Sequence, residues 1–163
     1  QFMHRHLFNH LDFIETNNHI PNGLAKDMNQ SCIDYDDILK NNIPDIQLLG
    51  IGSNGHIGFN EPGTPFESTT HIVNLAQNTR EDNARFFSSI DEVPTQAITM
   101  GIQSIMNAKK IILIATGASK AKAIYQMITG EITTTLPASI LQTHPNVDVY
   151  VDKDAAKFLL EKK

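Results

Sequence analysis

The residues best placed to do chemistry lie in Gly50-Ile51-Gly52-Ser53-Asn54-Gly55-His56-Ile57-Gly58-Phe59-Asn60-Glu61-Pro62-Gly63. One short loop there carries an amide, an imidazole and a carboxylate. Imidazole has a reference pKa of about 6.5, so His56 can both take and give a proton near neutrality. The glycines let backbone approach a ligand closely, because they lack a Cβ and tolerate positive φ. His56 by itself reads equally as a satisfied loop residue; with Asn54 and Glu61 beside it, the loop reads as an acid–base site.

The same stretch fits G-x-G-x-x-G from Gly50 to Gly55, the dinucleotide-binding fingerprint. That motif needs a helix to begin within it and a ribose-binding acid about 20 residues on. Gly58, Pro62 and Gly63 are poor helix starters, and the corresponding later positions are Thr69, Thr70 and His71. A nicotinamide site is therefore disfavoured.

Two cations are worth tracking. Lys120 follows Gly117-Ala118-Ser119, a glycine turn between an apolar run and a helix. Free N–H groups and the positive end of the helix dipole would favour an anion there, and Lys120 would add a full charge. The turn lacks the G-x-x-x-x-G-K-[ST] spacing of a Walker A loop, and a surface lysine is the plain alternative. Arg85 stands four residues after Glu81, which by itself suggests an exposed ion pair. His6 and His10 have the i, i+4 spacing of a metal pair, but without an accompanying acidic motif they read as surface histidines, and no metal is expected.

Bulk properties narrow the classes. A chain of 163 residues suits a single domain, expected to span 1–163. A net charge of −5 without a long basic run argues against nucleic acid as a partner. The single Cys32 excludes an intramolecular disulfide and fits a reducing compartment. No apolar run approaches the ~20 residues of a membrane span, so no membrane is expected and the cytoplasm is the default location. The abrupt amphipathic opening, Gln1-Phe2-Met3-His4-Arg5-His6-Leu7-Phe8, suggests a fragment of a longer protein.

Elements must position these groups. Phe2 to about Phe13 reads as a short helix with Phe2, Leu7, Phe8 and Leu11 facing the core, and Pro21-Asn22-Gly23 as a turn. Asp27 and Gln30 have capping-box spacing ahead of a helix whose stripe is Met28, Cys32, Tyr35 and Leu39, ending at Asn41, Asn42 and Pro44. Ile46-Gln47-Leu48-Leu49 predicts a buried strand, and Ile72-Val73-Asn74-Leu75 a short one. Asn78-Thr79-Arg80-Glu81 predicts a capped helix towards Phe87. A strand over Ala97-Ile98-Thr99-Met100 precedes a short helix to about Asn107. Lys110-Ile111-Ile112-Leu113-Ile114-Ala115-Thr116 is the strongest buried-strand signal, feeding a helix whose shared face is Ala121, Ile124 and Ile128. Val147-Asp148-Val149-Tyr150-Val151 and a helix from Lys153 to Leu160 close the chain. Alternating strands and helices imply an α/β fold with a mainly parallel sheet, and ligands at the carboxyl ends of its strands.

The loop from Gly50 to Pro62, including His56-Ile57-Gly58-Phe59-Asn60-Glu61-Pro62, resembles the glucosamine-6-phosphate deaminase (isomerase) family. The resemblance continues through Asn78-Thr79-Arg80-Glu81-Asp82-Asn83-Ala84-Arg85-Phe86-Phe87 and through Pro94-Thr95-Gln96-Ala97-Ile98-Thr99-Met100-Gly101. It extends over Gly117-Ala118-Ser119-Lys120-Ala121 and Leu141-Gln142-Thr143-His144-Pro145, covering nearly the whole chain in order. It implies a three-layer Rossmann-like domain whose N-terminal part is missing here. It also implies conversion of glucosamine 6-phosphate and water into fructose 6-phosphate and ammonia, a hydrolase-class step in amino-sugar and N-acetylglucosamine catabolism. His56 would move a proton from the anomeric hydroxyl to the ring oxygen, with Glu61 holding and polarising the imidazole. Family members carry Asp or Asn at the position of Asn54, and Asn can orient but cannot store a proton.

Lys120 and Arg85 would hold the phosphate, with Gly52 lining the substrate site, and no cofactor is implied. The family's earlier half supplies another phosphate-contacting glycine turn and an aspartate that abstracts the C2 proton. The present chain is therefore expected to be catalytically incomplete by itself. Members activated by N-acetylglucosamine 6-phosphate have basic residues in the stretch corresponding to Thr69-Thr70-His71, so that activation is not expected. Related 6-phosphogluconolactonases share the glycine–His portion without Phe-Asn-Glu-Pro, and a non-catalytic sugar-phosphate sensor is a further alternative. The partner implied is a small sugar phosphate; a homo-oligomer stays open, since relatives include monomers and hexamers.

Overall fold

The structure, a computed structural model, describes residues 2–75 and 77–161, with the side chains of Phe2, Asn78, Asp82 and Asn83 outside the described set. The expected core contact at Phe2 thus lies outside the described residues, whereas Asn78 falls inside a helix that already includes Gln77 rather than at its cap. Helices α1 (Phe2–His6) and α2 (Met28–Asn41) come first, then strands β1 (Gln47–Leu49) and β2 (His71–Asn74). After them come α3 (Gln77–Asn83), β3 (Gln96–Thr99), α4 (Ile102–Met106), β4 (Ile111–Ala115), α5 (Ala121–Thr129), β5 (Val147–Val151) and α6 (Lys157–Leu160).

The main sheet is parallel, in the order β1-β4-β5. Gln47–Leu49 run beside Ile111–Leu113, and Ile111–Ala115 beside Val147–Val151. The mainly parallel α/β expectation holds, while β2 and β3 form a separate antiparallel pair with His71 opposite Thr99. One sheet face is closed by α4, α5 and the 3-10 stretch Pro137–Thr143, where Leu49, Ile111, Leu113, Ile105, Ile124, Met127 and Leu141 share one core. The opposite face is largely open: Leu48 is 62%, Ile114 49% and Tyr150 57% exposed. Parallel strands ordinarily carry a layer on both faces. The described residues supply one of the two.

That open face corrects two expectations of continuous burial. In β1 only Leu49 is buried, and β4 alternates, because successive side chains point to opposite sides of the pleat. In α5 the buried face runs Ala121, Ala123, Ile124 and Met127, with Ile128 turned outward. The first helix also ends early. A 3-10 turn follows at Phe8–His10, and Leu7 and Leu11 are exposed rather than core. The cap of α2 is as read: Asp27 Oδ1 accepts from the Gln30 backbone N–H at 3.0 Å. Gln30's own side chain turns to Asp34, so only half of the capping box forms. Cys32 is buried in that helix; burial first, then the neighbouring Asp36 carboxylate, pushes its thiol pKa up.

The candidate active site

Both glycine turns leave carboxyl ends of the parallel strands, one after β1 and one after β4, as the topology demands. The first is shaped by its backbone. The Gly52 N–H donates to the His56 carbonyl at 2.9 Å and the Gly55 N–H to the Gly52 carbonyl at 3.0 Å. Gly55 has φ 85°, a left-handed conformation that favours glycine. Gly52 matters for another reason: a Cβ built there would overlap the His56 ring and crowd Asn54 Oδ1. The far end of the loop is secured by Asn60. Fully buried, its Nδ2 donates to the Ile57 and Met100 carbonyls at 2.8 and 2.9 Å.

This backbone brings the three chemical groups into one chain. Asn54 Nδ2 donates to Glu61 Oε2 at 2.7 Å, which turns Asn54 Oδ1 towards His56. That oxygen lies 2.8 Å from His56 Nδ1 and also accepts from the His56 backbone N–H at 3.2 Å. An amide oxygen can only accept, so Nδ1 must carry the hydrogen, and in the neutral ring the lone pair falls on Nε2. Glu61 reaches the ring through that amide, and its Oε2 also lies within ion-pair range of His56 Nδ1, at 3.5 Å. The other carboxylate oxygen, Oε1, accepts from the Thr79 hydroxyl at 3.0 Å.

The loop borders a cavity of about 350 Å³ lined by Gly52, Asn54, His56, Phe59, Thr79 and Lys120 among others. Lys120 arrives on the second turn, at the start of α5. Gly117 there has φ 87°. Its N–H is not free for an anion, since it donates to Asp152 Oδ1 and Oδ2 at 3.1 and 3.0 Å. The Lys120 N–H likewise donates to the Gly117 carbonyl at 3.1 Å. The Gly117 and Lys120 N–H groups are thus committed, which leaves the Ala118 and Ser119 N–H groups and the Lys120 ammonium as the donors an anion could meet at this turn. Asp152 also accepts from the Ala155 N–H, which makes 153–156 a turn and delays α6 to Lys157.

Of the residues expected from the sequence, the structure brings together Gly52, Asn54, His56, Glu61 and Lys120. Arg85 is not among the cavity's lining residues. It sits on a 3-10 turn, Ala84–Phe86, with its guanidinium 4.8 Å from the Phe86 ring centroid. The sequence reading named Thr79 only as part of a helix-cap stretch and Asp152 not at all; their partners Glu61 and Gly117 lie 18 and 35 positions away in the chain. His6 and His10 are exposed, His10 Nε2 lies 3.0 Å from the Arg5 carbonyl oxygen, and no cluster of metal-ligating side chains occurs among the described residues.

Fold and geometry together give a Rossmann-like α/β scaffold whose strand-end cleft is lined by an imidazole and a lysine. The chain belongs to the family of glucosamine-6-phosphate isomerases and 6-phosphogluconolactonases, matching it over residues 1–150. It is 57% identical over 155 residues to a glucosamine-6-phosphate deaminase of Oceanobacillus iheyensis, covering 94% of this chain and 62% of that protein. Against a glucosamine-6-phosphate deaminase of Streptococcus agalactiae it is 57% identical over 158 residues, covering 97% of this chain and 67% of the relative. A solved monomeric glucosamine-6-phosphate deaminase superposes with a TM-score of 0.92 at 48% identity, covering 96% of this chain and 65% of that one. The chain thus spans about two thirds of the length of these relatives.

Proposed function

We propose that residues 1–163 carry the ring-opening and phosphate-binding part of a glucosamine-6-phosphate deaminase, which converts glucosamine 6-phosphate and water to fructose 6-phosphate and ammonia. The observation that carries this reading is the unbroken Glu61–Asn54–His56 chain ending in a cavity that Lys120 also lines. With hydrogen held on Nδ1, His56 Nε2 can take the anomeric hydroxyl proton and return it to the ring oxygen, opening the sugar. Asn54 passes orientation from Glu61 to the ring without itself ionising. Lys120 offers its ammonium to the phosphate, and Arg85 would join it once the segment after α3 approaches the cavity. The isomerisation then proceeds through an enolamine, since C2 carries the amino nitrogen. Protonation at C1 gives a C2 imine; water adds to C2, and the C2–N bond breaks to release ammonia and leave the ketone. These proton transfers call for no organic cofactor.

The C2 proton needs a further base, which the resemblance assigns to an aspartate in a part of the fold beyond these residues. The open face at Leu48, Ile114 and Tyr150 supports the idea that more polypeptide completes the sheet's second layer. The complete enzyme is accordingly the unit of activity, acting in amino-sugar breakdown. A cytoplasmic location fits the lone buried Cys32, and no helix of the described residues is long and apolar enough to cross a membrane. Activation by N-acetylglucosamine 6-phosphate is not expected. Thr70 is committed to Asp36 through its hydroxyl at 2.6 Å, and His71 Nδ1 donates to the Thr69 carbonyl at 2.7 Å.

The test offers glucosamine 6-phosphate and 6-phosphogluconolactone side by side to the complete polypeptide and to its His56→Ala variant. Ammonia release that falls by about a thousandfold in the variant, with sugar-phosphate binding retained, is the expected result. Lactone hydrolysis without ammonia release would favour the lactonase reading, and binding with neither reaction would favour a sensor.

A further inference from the structure

Glu61 is useful only if its carboxylate plane is fixed. The terminal torsion of a glutamate is broad and roughly two-fold, so one hydrogen bond leaves the group free to swing about its anchor. Asn54 anchors Oε2. The second anchor comes from a different element: Thr79, 6% exposed on α3, donates its hydroxyl to Oε1 at 3.0 Å and lines the same cavity.

We infer that Thr79 is a positioning residue for the Glu61–Asn54–His56 chain, an assignment that rests on the deaminase reading above. With both oxygens held, the carboxylate presents Oε2 squarely to Asn54 Nδ2. Asn54 then keeps Oδ1 towards the ring, and the ring keeps its hydrogen on Nδ1. Removing the Thr79 donor frees Oε1. The carboxylate can then rotate, Asn54 can turn its amide over, and the imidazole loses its tautomer preference. The same bond ties α3 to the catalytic loop, and α3 leads directly into the turn that bears Arg85. Arg80 braces the far side of that segment, with Nη2 donating to the Ile90 and Val93 carbonyls at 2.9 and 3.2 Å. The end of α3 that meets Glu61 is thereby held from two directions.

The experiment uses the complete polypeptide. Thr79→Val keeps the shape and removes the donor; Thr79→Ser keeps the donor. The Val variant is expected to lose about ten- to a hundredfold in kcat, the cost of a modest misplacement of a reacting group, with KM within about twofold. The Ser variant should recover to within about threefold of the parent. In a Glu61→Gln background, Thr79→Val should cost little more, because the two residues act as one unit. Nitrogen-15 spectra of His56 should show mixed tautomers in the Val variant and a single Nδ1–H form in the parent and Ser variant.

An unchanged kcat, a Ser variant as poor as the Val variant, or full additivity with Glu61→Gln would overturn the assignment. If the Val protein does not fold, Thr79→Ala, which also removes the donor, takes its place: mixed His56 tautomers there would support the assignment, and a single Nδ1–H form would overturn it. If the parent itself releases no ammonia, the deaminase reading fails. The His56 tautomer in the parent and the donor-free variant then tests Thr79 separately.

Discussion

The two glycine turns at the strand ends are built on different plans. The turn after β1 is held from within: Gly52, Gly55, Asn54, His56, Asn60 and Glu61 lie close together in sequence, and most of their bonds join neighbours. The turn after β4 is held from without. Asp152, 35 positions along the chain, pins Gly117, and the Lys120 it presents lines a cavity whose other lining residues belong mostly to the first turn. Under the proposed function the first turn carries the proton transfer, which needs reacting groups fixed to a fraction of an ångström. Phosphate binding tolerates a longer lever, because a lysine ammonium is a compact charge on a flexible stem.

Breaking each turn in its own way sharpens that contrast. The largest effect is expected from Gly52→Ala, whose methyl would push the imidazole off its line to Asn54. Displacing a reacting group by about 1 Å should lower kcat about a hundredfold with KM little changed. An active Gly52→Ala enzyme would show that the ring has room to reseat. Lys120→Ala should do the opposite, raising KM about ten- to a hundredfold, the worth of a charge-assisted hydrogen bond. Arg85→Ala should raise KM by less, since Arg85 begins outside the cavity. Steady-state kinetics on both variants would reveal an equal rise if the segment after α3 closes fully over the phosphate. Asp152→Asn is the mildest, with an expected few-fold rise in KM, because an amide oxygen still accepts from Gly117, though less strongly than a carboxylate.

The same contrast explains what the sequence could reveal. The strands and helices of the parallel sheet were legible from apolar runs and glycine punctuation, and His56, Asn54 and Glu61 were legible because they share a loop. Thr79 was not: its segment reads as a helix cap, and its partner is Glu61, reached only through folding. Asp152 was hidden likewise behind a strand end. Burial was misjudged in β1 and β4 because an apolar run looks the same whether one face or both are covered. Here the outer face at Leu48, Ile114 and Tyr150 is open. Arg85 marks the reverse limit, since its motif match names a role that its position on the 3-10 turn does not yet fill.

A structure of the complete polypeptide bound to a non-hydrolysed analogue of glucosamine 6-phosphate tests the central claim most directly. The account predicts phosphate oxygens within about 3 Å of Lys120 Nζ and the anomeric or ring oxygen within about 3 Å of His56 Nε2, in one molecule of ligand. A sugar phosphate seated elsewhere, or one whose ring lies beyond the reach of His56 while its phosphate touches Lys120, would contradict it.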